Sequence, residues 1–153
     1  MKNSTSFTIW IDADACPKVV KEIVFKASFR LSIPVVLVAN SYMSVPHTGI
    51  IKSIQVEKGA DVADNYIIEN VSKEDIVITA DIPLAALIVE KGAIAINPRG
   101  ELYTEDNVGE RLSVRDFMQD LRDSGIETSG PPPFGTKDKA QFANALNKIL
   151  SKK

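Results

Sequence analysis

The stretch that decides the fold is Phe7-Thr8-Ile9-Trp10-Ile11-Asp12-Ala13-Asp14-Ala15-Cys16-Pro17, an apolar, β-rich run that stops at two aspartates and a proline. Phe7 to Ile11 has the length and composition of a buried strand. Pro17 has no N–H to leave unpaired, so it suits the start of a helix. The two carboxylates are therefore predicted at a strand-to-helix turn. In an open α/β sheet such a turn lies at the carboxyl end of a strand, beside the crevice where ligands bind. Acids buried there need a compensating cation, or their pKa values rise. A divalent metal is the simplest compensation.

Downstream of Pro17, Val20, Ile23, Val24 and Ala27 recur at helical spacing, which predicts one apolar stripe on a helix to about Arg30. The valine-rich run Pro34 to Ala39 predicts a strand buried on both faces. Strand, helix and strand make a crossover unit, so Asn40 and Ser41 fall on the same sheet edge as Asp12 if the pair is parallel. A loop from Tyr42 to Lys52 precedes a short strand around Ser53 to Val56. Asp61 is predicted to cap a helix through about Asn70, with Asp64 one turn on. Ile76 to Thr79 reads as a buried strand ending at Asp81, which opens a helix stopped by Gly92. Ala93 to Ile96 is a fifth strand and Asn97 to Gly100 a turn. A helix from Thr104 to about Gly125 is expected to turn Val114, Phe117, Met118 and Leu121 inward. Thr128 to Thr136 holds three consecutive prolines and reads as a strap, and a last helix, Lys137 to Leu150, buries Phe142, Ala145, Leu146, Ile149 and Leu150.

These elements predict an α/β protein, three layers α/β/α around a mostly parallel sheet of about five strands, in a single domain spanning 1–153. Residues 1–6 are expected to be disordered and 128–153 to pack on the domain as strap and helix. At 153 residues, 44% apolar and 25% charged, the chain can bury a real core. No apolar run reaches the roughly 18 residues of a membrane span, and Met1 to Ser6 has no signal-peptide core, so a cytoplasmic, membrane-free protein is expected. A single cysteine excludes an internal disulfide, and one histidine without a cysteine cluster excludes a zinc-type ligand set. Any metal site must use oxygen, which selects Mg²⁺ or Mn²⁺. The net charge of -2 gives no overall pull on nucleic acid, so such a partner needs a local basic patch.

Aspartates thus reach strand ends or helix starts at three places: Asp12 and Asp14, Asp61 and Asp64, and Asp81. Helix capping accounts for Asp61 and for Asp81 taken alone. It does less for Asp12, before the helix, or Asp64, already inside one, and a shared acidic metal site is the favoured reading. Carboxylates around Mg²⁺ or Mn²⁺ suit phosphoryl chemistry, where the metal screens phosphate charge and orients water. Lys18, Lys21 and Arg99 are candidate phosphate contacts. Cys16 reads as a small packing residue and His47, the lone histidine, as a loop residue. Tyr42 is the one aromatic placed to stack a base.

The strings Ile11-Asp-Ala-Asp-Ala-Cys-Pro17, Val38-Ala-Asn-Ser41, Gly59-Ala-Asp-Val-Ala-Asp64, Ile78-Thr-Ala-Asp-Ile-Pro-Leu-Ala85, Asn97-Pro-Arg-Gly100 and Gly130-Pro-Pro-Pro-Phe134 resemble the YaiI/YqxD group of bacterial proteins, from Ile9 to Leu150. That group is similar in turn to PIN-domain proteins, Mg²⁺- or Mn²⁺-dependent nucleases with a parallel sheet flanked by helices. The resemblance implies that Asp12 is the acid after the first strand, Asp61 or Asp64 the acid on the middle helix, and Asp81 the acid after the fourth strand. Asn40 or Ser41 would stand near the polar residue after the second strand. The nucleases often carry a glutamate where this chain has an aspartate pair, and Asp14 is an extra acid.

The expectation is a metal-dependent nuclease, acting on RNA, with Asp12, Asp61, Asp64 and Asp81 catalytic. Asp12, Asp14, Asp64 and Asp81 would hold Mg²⁺ or Mn²⁺, and Asn40, Ser41, Lys18 and Arg99 would meet substrate. Two alternatives stand beside it. In a haloacid-dehalogenase-type phosphatase, Asp12 would attack phosphorus and Asp14 would protonate the leaving group, with Ser41 and Asp81 later in the layout. A PIN-like module could instead bind RNA or protein and cleave nothing.

Overall fold

In the computed structural model, which describes residues 7–59, 61–128 and 132–153, the opening stretch becomes the middle of a parallel sheet. Strand β1 (Ile9–Asp12) is buried along its whole length. It pairs in parallel with β2 (Val35–Ala39) on one side and β4 (Ile76–Ile78) on the other, with Ile9 opposite both Val35 and Ile76. Outside β2 lies β3 (Ile51–Gln55), and outside β4 lies β5 (Ile94–Ile96), both parallel. A two-residue strand, β6 (Leu102–Tyr103), closes that edge in the antiparallel sense. The order β3-β2-β1-β4-β5-β6 means the chain winds one way from β1, then returns to start again at β4. The winding reverses between β1 and β4, and in open α/β sheets ligands bind at the carboxyl ends of the strands that flank such a point.

The central strands are apolar on both faces because both faces are covered. Ile9, Ile11, Leu37 and Ile78 face one core, under α1 (Lys18–Leu31) and α5 (Thr136–Leu150). Trp10, Val38, Val77 and Ala95 face the other, under α2 (Val62–Asn70) and α3 (Ile82–Glu90). The three-layer α/β arrangement expected from the sequence is present. On α1 the buried residues are Val20, Val24, Ala27 and Ser28, the first three from the predicted stripe. Each large one contributes about 1.5–3 kcal/mol by leaving water. The helix stops at Ser32, which takes the left-handed conformation at φ 55°, while the Ser28 hydroxyl donates to the Ile33 carbonyl at 2.6 Å.

Three features differ from expectation. Strand β3 begins at Ile51, two residues early, because pairing with β2 carries its register back to Val35. The sheet gains β6, invisible in sequence because two residues after a turn carry no period. Gly100 makes that turn possible: at φ +91° its missing Cβ would lie 2.6 Å from the Gln141 backbone of α5. Finally, α4 (Glu105–Asp123) has no buried residue, and Val114 and Phe117 face outward rather than inward. Its register is set at its start, where Thr104 and Asn107 form a reciprocal cap and Val108 packs on the core.

At the amino end of the sheet a buried carboxylate clips β1 to β4. Asp75 accepts from the Thr8 amide at 2.9 Å, the Trp10 indole at 3.0 Å and the Ser72 amide at 2.9 Å. Residues 1–6 and 129–131, for which disorder and part of the strap were expected, lie outside the described residues. No helix among those described is long and apolar enough to cross a membrane.

Candidate metal centre

The carboxyl ends of β1 and β4 bring together residues far apart in sequence. Asp12, the last residue of β1, is buried, and one of its oxygens accepts from the Thr79 hydroxyl at 2.8 Å. The Thr79 oxygen in turn accepts from the Asp81 amide at 3.0 Å. Asp81 caps α3, taking the Leu84 amide at 2.9 Å on one oxygen. Thr79 thus locks the first acid to the turn that carries the last.

The middle helix supplies the third acid. Asp64 lies in the first turn of α2, and its carboxyl is pushed up to about 7. Burial is the main cause, followed by the charges of Asp81 and Asp12, a hydrogen bond with Asp81, and the charge of Asp61. Burial also raises Asp12, against the pull of the Thr79 hydroxyl and with a push from Asp81 and Asp14. Asp12, Asp64 and Asp81 therefore form one electrostatic unit. None of the three is paired with a lysine or arginine among the described residues.

Asp61 and Asp14 stand at the rim. Asp61 precedes α2 at φ +66°, and its side chain makes no cap hydrogen bond, so the capping role expected of it is not what holds it there. A non-glycine residue in that region costs roughly 1–3 kcal/mol. Asp14 is exposed and accepts from the Asn40 amide at 2.8 Å, while the Asn40 side chain donates to the Glu57 carbonyl at 3.0 Å. Asp14 and Asn40 thereby tie the end of β2 to the turn after β1. Ser41 and Lys18 are exposed beside them. Arg99 follows β5 on the same edge, but its guanidinium is committed to Asp138 at 2.8 Å and the Pro132 carbonyl at 2.5 Å, over the Phe134 ring. It fastens the strap to α5. Cys16 is buried and its thiol pushed up to about 12, chiefly by burial, which suits a packing residue.

Sequence reasoning passed over Thr79 and Tyr103. The signal for Thr79 was a lone polar residue between a fully apolar strand and an aspartate. Tyr103 on β6 lies near enough for the Asp81 charge to add to the burial that raises its phenol, with the Asn97 side chain opposing them.

The donor set is oxygen only, anionic and unpaired, which fits a hard divalent cation. Among the described residues, however, no three carboxylates already stand as ligands around one point. Burial and the charges of its neighbours instead push the Asp64 carboxyl up.

The family profile described as "Uncharacterized BCR, YaiI/YqxD family" matches residues 10–152. The chain belongs to the YaiI/YqxD family. A "UPF0178 protein" of Trichlorobacter lovleyi is 60% identical over 145 residues, 95% of this chain and 94% of that one. Another, from Shewanella baltica, is 56% identical over 146 residues, 95% and 97% of the two chains. Among solved structures, the homospermidine synthase of Legionella pneumophila in complex with NAD superposes with a TM-score of 0.50 at 14% identity, over 94% of this chain and 39% of that one. That likeness is one of fold. The YaiI/YqxD member shares with it a mostly parallel α/β sheet and carries Asp12, Asp64 and Asp81 at the carboxyl edge of its own.

One prediction follows from Asp64 in this YaiI/YqxD chain. An unfolded aspartate titrates near 3.8 and the folded one near 7, so the fold binds the extra proton between these values. Stability from this group is full below the lower value and lost as pH rises through the upper one. Discounted for its partial exposure, the ionised form costs about 1–2 kcal/mol. Without divalent ions, Asp64→Asn should melt about 3–8 °C above the parent near pH 8 and much closer to it near pH 5. A difference independent of pH in thermal melts would refute this.

Proposed function

We propose that this protein hydrolyses phosphodiester bonds in RNA, using Mg²⁺ or Mn²⁺ held by Asp12, Asp64 and Asp81. The observation that carries the reading is the convergence of Asp64 with Asp12 and Asp81, where burial first and then the charges of those two acids push its carboxyl up to about 7. Three unpaired carboxylates would repel a phosphate, so the site accepts a polyanion only when their charge is neutralised. A bound divalent ion would do that and orient water for attack on phosphorus.

The chain's own residues have separable tasks. Thr79 holds Asp12 in one orientation and so fixes an oxygen at the crevice floor. Asp64 is pushed up to about 7 chiefly by burial and then by its neighbouring acids, a cost that a bound cation would offset. Lys18 stands exposed at the start of α1 to meet phosphate, and Asn40 and Ser41 border the mouth. Asp14 is bonded to the Asn40 amide, which favours the nuclease over a phosphatase that needs it as free acid.

The test is a labelled single-stranded RNA incubated with protein and Mn²⁺, Mg²⁺ or EDTA. Cleavage with either ion and none with EDTA is expected. Cleavage surviving EDTA, or none under any condition, would overturn the proposal. Aspartyl-phosphate trapped on Asp12 would support the phosphatase, and RNA binding without turnover the binding module.

A further inference from the structure

Just beyond the carboxylate crevice, the segment after β2 carries an aromatic ring that its own packing does not explain. Tyr42 is 75% exposed, more than any other large hydrophobic side chain among the described residues. Its neighbours are anchored. The Asn40 amide is held by Asp14 and its side chain by the Glu57 carbonyl. On the other side Met43, Val45 and Ile50 pack against the core under α1. An exposed ring on a backbone pinned at both ends loses little entropy when it is covered, which favours it as a contact surface. A cation reaches the next residue along: the Lys21 ammonium lies 3.4 Å from the Met43 sulfur. Tyr42 follows Asn40 by two residues, and Asn40 is bonded to Asp14, itself two residues from Asp12. Tyr42 and the acids therefore belong to the same carboxyl edge of the sheet.

We infer that Tyr42 is a stacking platform for an unpaired base next to the bond to be cut, with Lys21 meeting the adjoining phosphate, so that the site selects single-stranded over duplex nucleic acid. The inference rests on the phosphodiesterase reading for the position of the bond, but its test does not need turnover. A base stacks on a side chain only when it is free of its own stack, and every base has a π-face, so the platform selects strandedness rather than sequence. Lys21 supplies locally the attraction that the net charge of -2 does not.

The experiment measures binding of a fluorescent single-stranded RNA oligomer, its DNA equivalent and the RNA duplex to the full chain, with Ca²⁺ in place of Mg²⁺. Tyr42→Ala should weaken single-strand binding about tenfold, Tyr42→Phe should restore most of it, and duplex binding should be weak and unmoved by either. An abasic position in the oligomer should cost the parent protein affinity and cost Tyr42→Ala nothing further. Equal single-strand affinity of parent and Tyr42→Ala, equal losses on both strand types, or no single-strand binding by the parent would each overturn the inference. Tyr42-dependent binding without cleavage in Mg²⁺ or Mn²⁺ would leave it standing and end the hydrolase reading. The RNA and DNA arms tell which sugar is tolerated. Thermal melts of both variants should match the parent, since the side chain is exposed.

Discussion

Asp12→Asn is expected to lower metal-dependent RNA cleavage by about 10³-fold or more while leaving the protein folded. The rate loss corresponds to the several kcal/mol of charge stabilisation that a divalent ion supplies to a phosphoryl transition state. The fold survives because the asparagine carbonyl still accepts from the Thr79 hydroxyl, the bond that holds this side chain at 2.8 Å. Burial already disfavours the charge of Asp12, so its removal does not destabilise the chain in EDTA. Two measurements separate chemistry from structure. Initial cleavage rates with Mn²⁺ should collapse, and Mn²⁺ should raise the melting temperature of the parent but not of the variant, since only a species bound by the folded state stabilises it. Cleavage within tenfold of the parent would end the proposal that Asp12 holds the metal. A variant that fails to fold in EDTA would show instead that its charge is structural.

Where sequence determined packing through a period, it was readable. The stripe on α1 and the all-apolar strands were legible because each apolar face has one place to go once the sheet is parallel. The meeting of Asp12, Asp64 and Asp81 followed from the same source: residues at strand ends or at the adjoining helix starts share one edge of the sheet. The misreadings have a common cause as well. Val114 and Phe117 carry helical spacing, but periodicity says that a face is apolar, not that a layer is there to cover it. Asp61 has the identity and position of a cap, yet its backbone is left-handed and its side chain caps nothing. The residue types of Asp14 and Arg99 do not disclose the Asn40 amide that the one meets, or the Asp138 carboxylate and Pro132 carbonyl that the other meets. Spacing places a side chain on an edge; the hydrogen bonds it meets there depend on partners from other elements.

Asp75→Ala is expected to cost about 3–5 kcal/mol of folding stability, lowering the melting temperature by about 10 °C or more. The residue sits in Ser72-Lys73-Glu74-Asp75, four polar residues in a row that carry no period. In the fold its carboxylate is buried and accepts three N–H groups, two of them from residues more than sixty positions earlier. Truncation leaves the Trp10 indole and the Thr8 and Ser72 amides without their acceptor, and a donor deprived of its acceptor loses more than the net value of the bond. Asp75→Asn keeps one carbonyl acceptor but sets an amide NH₂ against a donor, so its loss should fall between parent and alanine. Trp10 is the chain's single tryptophan, so its fluorescence reports this contact directly during urea unfolding. The affinity of the folded variant for Mn²⁺ should stay at the parent's value, because Asp75 precedes β4 while the acids follow it. A melting temperature within about 2 °C of the parent would mean that β1 and β4 are held together without this clip, by their ladder and the apolar cores alone.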